Sequence, residues 1–223
     1  DIDEAIYADI SRNMAESGDW VLPVFNGQPR FDKPPLLFWI GAAAISLLGE
    51  TELAVRLGSL AFALLGVVLV HSFALRDYSP RAADFAALIL ASNLGWFIEG
   101  RMGLLDTALS FFIGWALYQL PAIQRGHPSG YLWMGVALAL GVLTKGPVAL
   151  VLVGGTLLLT VGPRRLWSYM VSPWTLTGGA LFVAVALPWH WAIYQRAGQA
   201  WIADYFGYHM LTRFTRPIED HGF

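Results

Sequence analysis

The segment Leu53-Ala-Val-Arg-Leu-Gly-Ser-Leu-Ala-Phe-Ala-Leu-Leu-Gly-Val-Val-Leu-Val-His-Ser-Phe-Ala-Leu75 decides the fold, because it is long and apolar enough to cross a bilayer. A helix needs about 20 residues to cross a hydrocarbon core of about 30 Å. Five further charge-poor runs follow along the chain. Together the six runs predict six membrane helices, at 53–75, 82–98, 104–120, 131–144, 146–162 and 174–194.

Composition favours the same class of protein. Hydrophobic residues make up 56% of the 223-residue chain and charged residues 13%, where a soluble domain has about 25% charged residues. The net charge of -2 and the scattered basic residues exclude a nucleic-acid-binding protein. The absence of Cys excludes disulfides and thiolate metal sites. We therefore predict an all-α polytopic membrane helix bundle, and we expect the chain to be a fragment that lacks at least one preceding membrane helix.

Basic residues in alternate short loops predict the orientation, because such loops face the cytoplasm. These residues are Arg76, Arg81, Arg125, Arg164 and Arg165. They share a side only if residues 131–162 form two short helices broken at Thr144-Lys-Gly-Pro147; a single tilted helix is the alternative. The extracytoplasmic side then collects residues 1–52, the turn 99–103 with nearby Asp106, Lys145 and the tail. We predict three regions: a first extracytoplasmic loop at 1–52, the membrane bundle at 53–194, and the start of a further extracytoplasmic loop at 195–223.

The first loop contains two predicted juxtamembrane helices. Ile2, Ile6, Ile10 and Met14 recur every four residues, which predicts an amphipathic helix over 4–17 that ends at Gly18-Asp19. Asn26-Gly27 marks a turn. Pro34-Pro35 opens a second, apolar helix that ends at Gly49. Both helices are expected to lie at the membrane surface.

Charged residues on the extracytoplasmic side are the candidate functional groups. Asp3 and Glu4 have an ordinary explanation, since acidic residues stabilise a helix start, and the same holds for Asp106. The adjacent pair Asp32-Lys33 adds little stability as a surface pair, and Lys33 would suit a phosphate. Lys145 interrupts a hydrophobic hairpin at membrane depth, where a cation is by default a functional hypothesis, with snorkelling to the interface as the alternative.

Six motifs, read together, resemble one family. They are Asp3-Glu-Ala-Ile-Tyr-Ala8, Gly18-Asp-Trp20, Phe31-Asp-Lys-Pro-Pro-Leu-Leu-Phe-Trp39, Glu52-Leu-Ala-Val-Arg-Leu57, Leu105-Asp-Thr-Ala-Leu-Ser-Phe-Phe112 and Leu143-Thr-Lys-Gly-Pro-Val-Ala149. The family is the bacterial aminoarabinose-transferase and protein-mannosyltransferase-like group of polytopic membrane glycosyltransferases, which have the C-type (GT-C) fold. The likeness is strongest from Asp3 to Pro147.

This resemblance implies a polyprenyl phosphate carrying one monosaccharide as the donor. It implies that Asp3 is the catalytic residue of an Asp-Glu pair with Glu4. Asp32 and Lys33 would form the donor-phosphate and metal environment, and Lys145 would lie near the same cavity. Asp106 and Tyr7 are placed in supporting positions. One departure is Ile6, where aminoarabinose transferases often carry Arg, and it weakens lipid A modification as the specific activity.

Chemistry gives these groups consistent roles. Cations such as Lys33, Lys145 or Arg213 would stabilise the charge that develops on the leaving phosphate. A base such as Asp3 would accept the proton of the acceptor hydroxyl, and a single displacement would invert the sugar. The acceptor class stays open between a lipid A-like glycolipid, a protein and a cell-envelope polymer.

A divalent metal ion also stays open at this stage. Oxygen ligands from Glu4 or Asp32 would suit magnesium or manganese, and His209 would suit zinc. His209 and His221 lie twelve residues apart in the tail, which matches no tight metal motif.

The competing function is a transporter or flippase of an amphiphilic lipid-linked substrate, although the sequence has no internal repeat. A purely structural subunit would leave the clustered charges without a role. The expected location is the bacterial inner membrane, with the active site on the extracytoplasmic face and with membrane lipids and the lipid-linked sugar as partners.

Overall fold

The head of the chain consists of two helices joined by a small β hairpin. A computed structural model describes the backbone of residues 2–212 and the side chains of residues 2–207. The head elements are α1 (Ile2–Ser17), β1 (Val24–Phe25), β2 (Gln28–Pro29) and α2 (Leu36–Leu48). The hairpin is the one part of the described chain that departs from the predicted all-α architecture.

Eight further helices form the bundle and the connections within it. They are α3 (Glu52–Asp77), α4 (Pro80–Ser92), α5 (Leu94–Arg101), α6 (Asp106–Tyr118), α7 (Leu120–Gln124), α8 (Pro128–Lys145), α9 (Val148–Met170) and α10 (Pro173–Ile202). A π-helical stretch, Ala203–Thr212, continues from α10. The predicted helical bundle is confirmed.

Local sequence explains the shape of the head segment. Of the i+4 stripe predicted for α1, Ile6, Ile10 and Met14 form the buried face, whereas Ile2 at the helix start is 79% exposed. Gly18, with φ +70°, follows the last residue of this helix. Asn26 and Gly27 both have positive φ, which a tight two-residue hairpin turn requires. Gly49, with φ +74°, ends α2 as predicted.

The six predicted membrane runs all coincide with helices, but not all of these helices have the length and hydropathy of a span. In the described part of the chain, three helices are long and apolar enough to cross a membrane: α3, α9 and α10. The pair α4 and α5 also qualifies if it counts as one span bent by 62°. The bend lies at Asn93, the residue between α4 and α5. Its side-chain oxygen caps the start of α5 by accepting a hydrogen bond from Trp96 N at 3.0 Å. At 13 residues α6 is short, as the sequence predicted.

The predicted break between the fourth and fifth runs is confirmed. Lys145 ends α8, Gly146 has φ +72° and α9 starts at Val148. A second break, at Gly162 and Pro163, separates the membrane part of α9 from a short last segment that carries the two adjacent arginines. Residues 131–162 are therefore two helices and not one tilted helix.

Close backbone contact joins α8 to α10. A Cβ atom built on Gly135 would lie 2.1 Å from the carbonyl oxygen of Gly178, and one built on Gly178 would lie 2.5 Å from the carbonyl oxygen of Tyr131. Small residues allow such an approach between membrane helices, where packing replaces the hydrophobic effect as the driving force.

We predict that Gly135→Ala destabilises the intact protein by about 1–3 kcal/mol, because the added methyl group overlaps a backbone atom that cannot move aside. Thermal unfolding in detergent measures the loss. Gly154→Ala in α9 is the matched control, since nothing lies within 4 Å of its Cβ position. Equal unfolding temperatures for the two variants would contradict the α8–α10 contact.

Candidate functional site

An ion pair connects α6 and α8 at the end of the bundle that holds the head segment. Lys145 Nζ donates to Asp106 Oδ1 at 2.6 Å. Asp106 is the first residue of α6 and Lys145 the last of α8, so both stand where their helices end. Their side chains stay 49% and 32% exposed, respectively. The pair is therefore formed without being sealed, and a ligand can reach it.

Glu4 connects α1 to two other segments. Arg56 of α3 donates through Nε to Glu4 Oε1 at 2.6 Å and through a second nitrogen to Oε2 at 3.4 Å. The backbone N–H of Gly103, in the loop before α6, donates to the same Oε1 at 3.1 Å. These hydrogen bonds, with that from Arg56 first, lower the pKa of Glu4 below its ordinary value against the opposing effect of burial.

Asp32 and Lys33 lie in the loop between the hairpin and α2. The Asp32 side chain is 7% exposed, and its Oδ1 lies 3.1 Å from Arg30 Nε. Neither of these buried atoms has a hydrogen bond with suitable geometry, so the attraction between them is coulombic. Lys33 Nζ lies 3.5 Å from the carbonyl oxygen of Asp32. The structure thus keeps the predicted pair together and adds Arg30 to it.

Tyr7 is buried on α1 and packs with Leu105, the residue that precedes Asp106. Burial raises the pKa of its hydroxyl well above the ordinary value, and the negative charges of Asp3, Asp32 and Asp106 add to the effect, with Arg30 opposing it. Asp3 and Tyr7 are four residues apart on α1 and therefore lie on one face of that helix. Residues from the head segment and from α6 thus act electrostatically on one hydroxyl.

The rest of the head segment is fixed against α10 and α2. Trp189 Nε1 donates to the Val21 carbonyl at 3.0 Å, and Trp39 Nε1 donates to the Trp20 carbonyl at 2.6 Å. Arg196, near the end of α10, forms an ion pair with Asp19. These contacts hold the loop that leads to Asp32 and Lys33 over the end of the bundle.

A groove of about 490 Å³ is lined by the Glu4–Arg56 pair itself. Its other residues from α1 include Ala8 and Arg12. None of Asp3, Asp32, Lys33, Asp106 and Lys145 lines it. The groove is therefore distinct from the cluster around Tyr7.

The described donor atoms do not form a metal site. Among residues 2–207, no group of three or more His, Asp or Glu side chains is arranged to hold a metal ion. The oxygens of Glu4 already accept from Arg56 and Gly103, so Glu4 does not fit as a ligand. The side chain of His209, together with Arg213 and His221, lies outside the described residues.

The sequence indicated which candidate charged residues lie near one another, but it did not indicate all of their ion-pair partners. Asp3, Asp32 and Asp106 all contribute to raising the pKa of the Tyr7 hydroxyl. Lys145 forms an ion pair with Asp106. Arg56 and Arg30 were missed as the partners of Glu4 and Asp32. Arg56 did leave a signal, since it is a lone cation inside the apolar run 53–75. A further signal is that Lys33 and Lys145 are the only lysines in the sequence.

Comparisons with known proteins show which family this chain is similar to. Residues 32–191 match the family described as dolichyl-phosphate-mannose-protein mannosyltransferase. Two relatives are named undecaprenyl phosphate-alpha-4-amino-4-deoxy-L-arabinose arabinosyl transferase. The one from Aeromonas salmonicida is 32% identical over 98% of this chain and 41% of its own length. The one from Edwardsiella ictaluri is 31% identical over 98% of this chain and 40% of its own.

One solved structure has a similar fold. ArnT from Cupriavidus metallidurans bound to undecaprenyl phosphate superimposes with a TM-score of 0.83 and 26% identity. The match covers 95% of this chain and 40% of that one. This chain therefore spans about 40% of the length of the curated relatives that it matches.

We predict that Glu4→Gln destabilises the intact protein by about 1–2 kcal/mol, because the charged, bidentate contact with Arg56 becomes a neutral one. Glu52→Gln is the control: Glu52 pairs with the same arginine but is 86% exposed, so its loss should cost little. Denaturant unfolding measures both.

The pH dependence of this effect has a defined sign. Because the folded pKa of Glu4 is lowered, its stabilisation is complete above the ordinary carboxyl pKa and is lost as the pH falls through the lowered value. The difference between wild type and Glu4→Gln should therefore shrink in acid. A difference that is constant down to the acid limit would contradict the assignment.

Proposed function

This chain belongs to the dolichyl-phosphate-mannose-protein mannosyltransferase family, and from that premise we propose that it carries the donor site of a membrane glycosyltransferase. The enzyme moves one monosaccharide from a polyprenyl-phosphate carrier to an acceptor and inverts the anomeric carbon. The observation that carries this proposal is the accessible Asp106–Lys145 ion pair, which lies at the end of the bundle that holds the head segment. A charged, accessible cluster at the end of a membrane bundle suits a ligand with an anionic head and a lipid tail.

The site is proposed to face the outside of the bacterial inner membrane. The basic residues of the short loops occupy the opposite end of the bundle, where α3 ends, α4 begins and α6 ends. Arg76, for example, donates to the Tyr118 carbonyl there at 2.7 Å. Basic loops stay on the cytoplasmic side, and this supports an extracytoplasmic position for the head segment and its cluster.

Asp3 is the proposed general base. It is exposed in the first turn of α1, and it acts on the same hydroxyl as Asp32 and Asp106. In the displacement, the acceptor oxygen bonds to the anomeric carbon, the bond from that carbon to the phosphate oxygen breaks, and the acceptor proton moves to Asp3. A single base and no enzyme nucleophile give inversion.

Lys33 and Lys145 are the proposed phosphate contacts. The phosphate gains negative charge as it leaves, and fixed cations near the leaving oxygen lower the energy of that state. Asp106 orients Lys145 through their 2.6 Å contact. Arg30 offsets the charge of Asp32, which would otherwise repel the phosphate.

Glu4 is better explained as a positioning residue than as a second catalytic acid. Its carboxylate is engaged by Arg56 and by the Gly103 N–H, and these contacts fix the helix start that carries Asp3. The same contacts place the loop before Asp106. Glu4 therefore sets the distance between the proposed base and the proposed phosphate site.

The donor is proposed to be a polyprenyl-phosphate monosaccharide, the class of substrate that the names of the relatives share. Ile6, where the resemblance would favour Arg, is buried in the core beneath α1 and supplies packing instead of charge. The alternative of a transporter is not favoured, because the matching relatives are named as transferases.

We predict that Asp3→Asn lowers sugar transfer by about 10²–10⁴-fold, the usual contribution of a general base. The measurement is transfer from a purified polyprenyl-phosphate sugar by the intact protein. Donor affinity should change little, since Asn keeps the size of the side chain. Glu16→Gln is the control: it removes a carboxylate that is 62% exposed on the same helix. Undiminished turnover by Asp3→Asn would remove Asp3 from the mechanism.

We predict that Lys33→Ala weakens donor binding by about 10-fold or more, because a charged hydrogen bond to the phosphate is lost. The acceptor KM should stay unchanged. Lys33→Arg, which keeps the charge, should retain most of the donor affinity. Unchanged donor affinity in Lys33→Ala, or an equal loss for donor and acceptor, would count against a phosphate contact.

A further inference from the structure

The ring of Tyr7 is held rigidly between three segments. The side chain is 6% exposed and packs in the core cluster that contains Ile10 and Met14 of α1, Phe38 of α2 and Leu105. Its ring centroid lies 5.5 Å from that of Phe38. Leu105 immediately precedes Asp106, so the packing that holds Tyr7 also holds the start of α6. The position of the Tyr7 hydroxyl is therefore set by the fold.

The hydroxyl has no hydrogen-bond partner among the described residues. Within residues 2–207 it makes no hydrogen bond, although a buried tyrosine hydroxyl usually finds one. It also differs from the Tyr205 hydroxyl, which is unpartnered but sealed from solvent. The Tyr7 hydroxyl is not among the sealed atoms and stays accessible. A ligand can thus supply the missing acceptor.

The charged groups near the Tyr7 hydroxyl determine which kind of acceptor it can bind. Burial, with the negative charges of Asp3, Asp32 and Asp106 adding to it, raises the pKa of the hydroxyl, so it stays a neutral O–H donor. Asp32 and Asp106 each already face a cation, Arg30 and Lys145 respectively. A neutral donor beside these pairs offers an anion one contact that brings no negative charge with it.

We propose that the Tyr7 hydroxyl donates a hydrogen bond to a phosphate oxygen of the lipid-linked donor and so helps to hold the phosphate beside the start of α6, where Asp106 binds Lys145. This inference rests on the proposed function and adds a phosphate-binding residue to it. The hydroxyl donates throughout the reaction and does not transfer its proton. It therefore favours the bound phosphate both before and after the sugar leaves.

The test is equilibrium binding of undecaprenyl phosphate to the intact protein in nanodiscs. Tyr7→Phe removes one oxygen and keeps the packed ring, so its thermal stability should match that of wild type. We expect its affinity to fall by about 10-fold, the loss expected for one hydrogen bond to a charged group. Placing 4-aminophenylalanine at position 7 restores an N–H donor and should recover most of the affinity. A merely structural role for the ring would predict no such rescue.

Tyr118→Phe is the matched control, because Tyr118 lies at the opposite end of the bundle beside Phe73 and Arg76. It should bind as wild type does. If wild type binds and Tyr7→Phe binds equally well, the role of Tyr7 is overturned and the proposed function stands. If wild type binds undecaprenyl phosphate no better than undecaprenol, which lacks the phosphate, the proposed function itself fails.

Discussion

The contact of Glu4 with Arg56 and the Gly103 N–H is the interaction on which the rest of the site depends. It joins residues that are 52 and 99 positions apart in the sequence. A carboxylate and a guanidinium at the edge of a bilayer are costly to desolvate singly, and pairing offsets that cost. Because Asp3 directly precedes Glu4, and Asp106 follows Gly103 by three residues, this one contact helps to fix the proposed base relative to the proposed phosphate contacts. Its geometry is bidentate, which constrains direction as well as distance.

The charges around Tyr7 are balanced in a way that suits a transient anionic ligand. Asp32 faces Arg30 and Asp106 faces Lys145, so each of these carboxylates has a cation of its own. The Asp106–Lys145 pair keeps substantial exposure, which limits its contribution to stability. The Lys145 ammonium group can therefore also interact with a phosphate. In this account the same ion pair orients Lys145 before binding and stabilises charge during the reaction. The rigid ring of Tyr7 adds a donor whose position does not depend on those pairs.

Much of this architecture could be predicted from the sequence, because its causes are local. Apolar runs, glycines and prolines predicted the helices, the break at Gly146 and the two head helices, and the motif resemblance to C-type glycosyltransferases is confirmed. The bend at Asn93 was missed, since a single cap inside a continuous apolar run gives a weak signal. The last apolar run was predicted to end at residue 194; helical structure continues from there to Ile202, with a break at Gly198, whose φ is +53°. Arg56 and Arg30 could not be assigned to their partners from local pattern, because ion pairs across tens of residues depend on how the helices pack.

The most direct test of the proposed phosphate site at Lys145 is zero-length carbodiimide cross-linking of the intact protein, read by peptide mass spectrometry. The reagent joins an amine to a carboxylate in direct contact, and Lys145 Nζ lies 2.6 Å from Asp106 Oδ1. The account predicts an Asp106–Lys145 cross-link that forms in the empty protein and is suppressed by undecaprenyl phosphate but not by undecaprenol. It would be contradicted if exposed carboxylates reacted while this cross-link never formed, or if the cross-link persisted undiminished at saturating undecaprenyl phosphate.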